Sequence, residues 1–197
     1  MDYIRYYAAV YLLMFAPGAV LYWFSIHPFI RFWRRVGPRL TLLIHYSGVM
    51  VLAFGLFLFR KPLLSVEFGT HPLLIALAVP LLAVALVLRV QISRHLNKRI
   101  LTGLPELAPD RHSTPLLTEG FYARVRHPRY LQVMLTFLAW ALLANYLATY
   151  LIFAASVVLL RIIIWLEERE LRARFGSVYD EYCTRVPRLI PRLSARN

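Results

Sequence analysis

Residues 131–166 form an apolar run that carries one charge, Arg161. As one helix, 36 residues would be about 54 Å long, against a hydrocarbon core of about 30 Å. The run is too long for one crossing and slightly short for two full ones. It must therefore turn. Ala144-Asn145-Tyr146 is the only break, and Asn is the residue there that suits a turn. The expected result is a hairpin of two short or tilted helices, at about 130–144 and 148–175. The second runs out of the membrane through Glu167. Polar clusters flank the run on both sides, at 116–130 and 167–191, so folding the hairpin brings the clusters together.

The rest of the chain has the same character. Of 197 residues, 59% are hydrophobic, where a soluble domain has about 45–50%. The apolar stretches are continuous rather than alternating, which argues against a β-barrel. The fold class is an all-α, polytopic membrane helical bundle of about five spans. The expected organisation is a single integral membrane domain, 1–197. Residues 1–90 make three spans, 91–129 a connector, 130–166 the hairpin and 167–197 a tail. The first span, 6–26, should kink or widen at Pro17-Gly18. The second covers 40–59 and the third 72–88. The opening residues read as a retained helix rather than a cleaved leader.

The net charge is +13. The basic residues sit between apolar runs, where they set topology and meet anionic lipid headgroups, so no nucleic-acid partner is expected. Lys and Arg number four in the loop after the first span, eight over 89–129 and seven from 167 onward. The loop after the second span has two and the hairpin turn none. The positive-inside rule then places the N-terminus outside and both polar clusters, with the C-terminus, in the cytosol. The expected location is a bacterial inner membrane or its equivalent. The single cysteine, Cys183, makes no internal disulfide and has no zinc-ligand spacing, so no metal is expected.

Within the first cluster, Pro128 suits a first helical turn, and His127 then stands at the helix start. Arg124, Arg126 and Arg129 add charge. The cluster reads either as an anion-binding helix mouth or as an interfacial anchor. In the second cluster, Glu168 and Glu170 stand four residues before Arg172 and Arg174. They read as ion pairs on an exposed helix, which leaves Glu167 to face the first cluster. Arg161 lies about 9 Å below Glu167 by helical rise. An ionisable residue inside the membrane suggests function, here the handling of substrate.

The pattern Leu117-Thr118-x-Gly120-x-Tyr122-x-x-x-Arg126-His127-Pro128-x-Tyr130, an apolar hairpin, then Glu167-Glu168-x-x-Leu171-x-x-x-Phe175-Gly176-x-x-Tyr179-x-x-Tyr182-x-x-x-Val186-Pro187-Arg188-x-x-Pro191 resembles the isoprenylcysteine carboxyl methyltransferase family. Phospholipid methyltransferases are its wider relatives. The resemblance implies S-adenosylmethionine as methyl donor and a lipid-like or prenylated acceptor taken from the bilayer. By position it implies a cofactor site of Thr114, Pro115, Leu116, Leu117, Tyr122, His127, Pro128, Arg129, Tyr130 and Glu167. Two positions depart from the family's pattern. Gln132 stands where a glycine is usual. Ile163 stands where prenylcysteine enzymes resemble each other in having an arginine for the substrate carboxylate, which weighs against that substrate. Sterol reductases that bind NADPH also resemble the C-terminal pattern. A reductase and a non-enzymatic scaffold are therefore the alternatives.

Overall fold

The computed structural model describes residues 2–94, 107 and 115–191. The long helices are α1 (Asp2–Ile26), α3 (Pro38–Leu58) and α5 (Pro72–Ser93), followed by α6 (Pro128–Ala144) and α7 (Leu147–Phe175). Shorter ones are α2 (Ile30–Val36), α4 (Arg60–Leu63) and α8 (Ser177–Arg185), with a 3-10 turn at Gly120–Ala123 before α6. Among the described residues four helices, α1, α3, α5 and α7, are long and apolar enough to cross a membrane, and α6 is a shorter apolar helix. The chain is a multi-pass helical membrane protein.

Helix α1 is central and packs against α3, α6 and α7, while α5 packs along α6. Small residues let α1 take that place. Ala8, Ala9 and Ala16 are buried against its neighbours, and short side chains permit close approach where lipid offers no hydrophobic drive. Gly18 is the tightest point: a Cβ there would sit 2.7 Å from Val49 Cγ1 on α3. Helix α1 continues through Pro17 as one helix rather than ending in a wider turn there. Helices α3 and α5 leave large apolar side chains such as Met50, Phe54, Val79 and Leu86 exposed. Those faces suit a bilayer.

The hairpin turns where the polar residue stands. Asn145 is left-handed, with φ 57°, the one non-glycine residue with positive φ among those described. Asn tolerates this conformation better than most residues. Its N–H donates to Ala141 O at 2.9 Å, closing α6. Its side chain donates to Gly69 O at 2.9 Å and accepts from the Tyr150 hydroxyl at 2.8 Å. Backbone bonds from Phe68 to Asn145 and from Leu147 to Val66 lash the preceding loop to the turn. Arg5, 2% exposed, completes this end of the bundle. It donates to Ala144 O at 3.2 Å and pairs with Glu67 at 2.8 Å.

At the opposite end, Gly176 ends α7 with φ 55° and ψ −132°, a region open to glycine. The chain reverses there. Helix α8 and the residue after it lay Tyr179, Tyr182 and Val186 against Leu116, Leu171 and Phe175.

Candidate active site

Pro128 has no N–H to lose, so α6 can begin at that residue, and the preceding segment stays outside the helix. The N–H of Arg126 donates to Pro187 O at 2.9 Å, and that of His127 to Arg188 O at 3.1 Å. This short backbone pairing joins the first polar cluster to the tail.

Glu168 closes the junction. Its side chain is 1% exposed. Arg188 grips it with two bonds, Nε to Oε1 at 3.0 Å and Nη2 to Oε2 at 2.6 Å. Arg126 donates to Oε1 from Nη2 at 2.9 Å. Arg126 also donates from Nη1 to Cys183 O at 3.1 Å and Val186 O at 2.6 Å. Its guanidinium thus satisfies carbonyls at the end of α8, where helices favour cations. His127 Nε2 lies 3.2 Å from Glu168 Oε1. A carboxylate only accepts, so this nitrogen carries the proton. The bonded partner raises the Arg188 guanidinium's pKa above its ordinary value.

This overturns the reading of Glu168 as a surface residue paired with Arg172. Arg172 instead bonds Asp180 at 3.2 Å. Glu170, expected to pair with Arg174, lies 3.1 Å from His27 Nδ1. Donors from three residues, Arg126, His127 and Arg188, converge on Glu168, which leaves no place for the exposed-helix role.

Glu167 has a different setting. Its Oε2 is 3.6 Å from His127 Nδ1. That atom is buried and makes no hydrogen bond among the described residues. Glu167 lines a cavity that also holds five aromatic side chains, Trp23 from α1, Tyr122, Tyr130, Tyr179 and Tyr182. Pro115, Leu116, Leu117, Arg126, His127, Arg129, Leu171 and Arg174 complete the lining. Arg129 lies over the Trp23 ring, 4.7 Å from its centroid. The Tyr182 hydroxyl donates to Tyr122 O at 2.5 Å. Burial pushes the Tyr182 hydroxyl up to about 12. Burial, then the Glu167 charge, pushes Tyr122 well above the ordinary tyrosine range. These phenols are neutral walls and donors rather than bases.

Eight of the expected cofactor residues thus line one cavity: Pro115, Leu116, Leu117, Tyr122, His127, Arg129, Tyr130 and Glu167. Pro128 is buried in the helix start and is not among the lining residues. Thr114 lies outside the described residues. Arg161 does not join them, because it is exposed on the outer side of α7. Ile163 is fully buried among Trp23, Tyr130 and Leu160, and Gln132 bonds Thr136 on its own helix at 2.9 Å. The reading from sequence missed Trp23 and the clamp formed by Arg126 and Arg188. Both arginines stand in the motif, but their target was not deducible from spacing.

The phospholipid methyltransferase family model matches residues 73–178. This chain belongs to that family. The match spans α5 to the first residues of α8, with His127 and both glutamates inside it and Trp23 and Arg188 beyond it. The resemblance to membrane methyltransferases therefore holds, in the branch named above as the wider relatives. The chain is 42% identical over 92 residues to methanethiol S-methyltransferase 2 of Bradyrhizobium diazoefficiens, covering 46% of this chain and 33% of the relative. It is 41% identical over 87 residues to methanethiol S-methyltransferase 1 of the same organism, covering 44% of this chain and 28% of that protein. The matched segment spans about a third or less of the length of these curated relatives. No solved structure matches the chain significantly. Family membership supports methyl transfer as the chemistry, and the reductase and scaffold alternatives gain nothing from it.

Proposed function

We propose that this protein transfers a methyl group from S-adenosylmethionine to an acceptor drawn from the membrane. The proposed topology has the N-terminus outside and the Glu167 cavity on the cytosolic side, as the arginine distribution favours. One observation carries the reading: in a chain of a methyltransferase family, a carboxylate that lines a cavity rich in aromatic side chains has a buried oxygen with no hydrogen-bond partner among the described residues. Such an oxygen is costly unless a ligand satisfies it, and a cationic ligand suits both the carboxylate and the rings around it.

S-adenosylmethionine supplies an electrophilic methyl group on a positively charged sulfur. The residues fit that donor. Glu167 takes its cationic part, Tyr122, Tyr130 and Trp23 offer ring faces, and Pro115, Leu116 and Leu117 form an apolar edge. His127 stands between the two glutamates and orients the wall that carries Glu167. Methyl transfer of this kind needs alignment and exclusion of water more than proton transfer. Neutral phenols and a clamped Glu168 suit that need.

The acceptor we favour is lipid-like and uncharged where it reacts. A prenylcysteine carboxylate has no cation waiting at Ile163, and Arg161 points away. The named relatives favour a second reading, a small thiol. The test has two stages. Calorimetry with detergent-purified protein should show saturable S-adenosylmethionine binding that is lost in Glu167→Ala and His127→Ala; NADPH binding in its place would refute the reading. Labelled donor is then offered with membrane lipid extract or with methanethiol, and the arm that takes up label decides the acceptor.

A further inference from the structure

Glu167 and Leu171 have a second cavity behind them, of about 730 Å³. The turn after α1, helix α2 and the end of α7 enclose it. Four arginines line it, Arg31, Arg34, Arg169 and Arg174, against two carboxylates, Glu167 and Glu170. Glu170 is engaged by the buried His27, at 3.1 Å. Glu167 and Arg174 are both shared with the first cavity, which leaves Arg31, Arg34 and Arg169 against Glu170 alone. The charge of this space is therefore positive, and it suits an anion.

The surface beside it says which kind of anion. Arg161, Trp165 and Arg169 follow at intervals of four along α7, so they form one line, and all three are exposed. The Arg169 guanidinium lies over the Trp165 ring, 5.0 Å from its centroid. Arg161 is the one charge in the apolar run, and a guanidinium there must reach up towards the headgroups. On the other flank α2 carries Arg31 beside the exposed rings of Phe29 and Phe32, the mixture expected of a helix lying in a membrane surface. The line leads from hydrocarbon to the cavity. A soluble anion would use only its upper end.

We propose that the second cavity and the Arg161–Trp165–Arg169 line bind an acidic phospholipid. Its phosphate sits among Arg31, Arg34 and Arg169, and its chains lie along the outer face of α7. This lipid is a bound ligand and not the methyl acceptor, so the proposal stands independently of the acceptor's identity. It would brace the α7 segment that carries Glu167.

The full chain is placed in nanodiscs of phosphatidylcholine, with or without phosphatidylglycerol. Retained lipid is read by native mass spectrometry and stability by the thermal midpoint. Wild type should retain phosphatidylglycerol selectively and melt higher with it. The double variant R31A/R169A should bind it at least about tenfold more weakly, since each basic side chain at an acidic membrane surface contributes roughly fivefold. R31Q alone, on the exposed side of α2, should show a smaller loss in the same direction and serves if the double variant yields too little protein. R60A/K61A removes the same charge at the other end of the bundle and should leave the selectivity intact. Wild-type selectivity in both R31A/R169A and R31Q would overturn the proposal. So would an equal loss in R60A/K61A, or the same stabilisation by inorganic phosphate in phosphatidylcholine alone.

Discussion

The two ends of this bundle hold buried charge in opposite ways. Near the hairpin turn a buried arginine, Arg5, reaches an acid that stays 40% exposed, Glu67. Near the tail a buried acid, Glu168, is held by two arginines and a histidine. Both arrangements tie loops to the ends of α6 and α7. They differ in what stands beside them. Neither Arg5 nor its partners line either of the two cavities described, whereas Arg126 and His127 line the first, and Glu167 adjoins them. One end is a fastening. The other is a fastening that also holds a second carboxylate in place while leaving its buried oxygen without a hydrogen bond among the described residues.

The comparison can be broken by substitution. The largest loss should follow Glu168→Ala, which strands two guanidinium groups in the junction. Removing one partner of a buried ion pair costs about 3–5 kcal/mol. The expected outcome is a steep fall in thermal midpoint and yield, with donor binding lost as a consequence. Arg5→Ala should cost less, about 1–3 kcal/mol, because Glu67 can be hydrated and the main loss is the bond to Ala144 O. Its donor affinity, measured by calorimetry, should stay at the wild-type value. A loss of affinity in Arg5→Ala would mean that the two ends are coupled. Asn145→Ala should be milder still, at about 1–2 kcal/mol, through two lost side-chain bonds and a left-handed residue without Asn's tolerance. Thermal unfolding in detergent ranks the three.

The parts legible in the sequence were those set by hydropathy and by turn chemistry. A run too long for one crossing with one Asn in it had few ways to fold, and the helices meet at Asn145 as expected. Pro128 marked the start of α6 for an equally local reason. Gly18 was legible only as part of a possible kink; its contact with Val49 belongs to the packing of α1 on α3. The rotation of α7 was hidden. Ile162, Ile163, Ile164 and Trp165 are apolar all round, so no period shows which face is inside. The answer rests on Leu160, Ile163, Ile164 and Glu168, which are buried together. That same rotation sends Arg161 outward and puts Glu168 rather than Glu167 at the centre of the clamp. Arg188 could not be linked to Glu168 without knowing that the chain reverses at Gly176. Nor could His27 be linked to Glu170, since they are 143 positions apart and meet only through the packing of α1 on α7.

Glu167→Gln tests the central claim most directly. The substitution keeps the shape and removes the charge, and it spares the Glu168 clamp. Stability should stay within about 1 kcal/mol of wild type, since the substitution removes only the 3.6 Å ion pair with His127 and leaves the bonds to Glu168 in place. S-adenosylmethionine affinity, measured by calorimetry on the folded protein, should fall by at least about tenfold, roughly 1.4 kcal/mol. A Glu167→Gln protein that is equally stable and binds the donor as tightly as wild type would contradict the account.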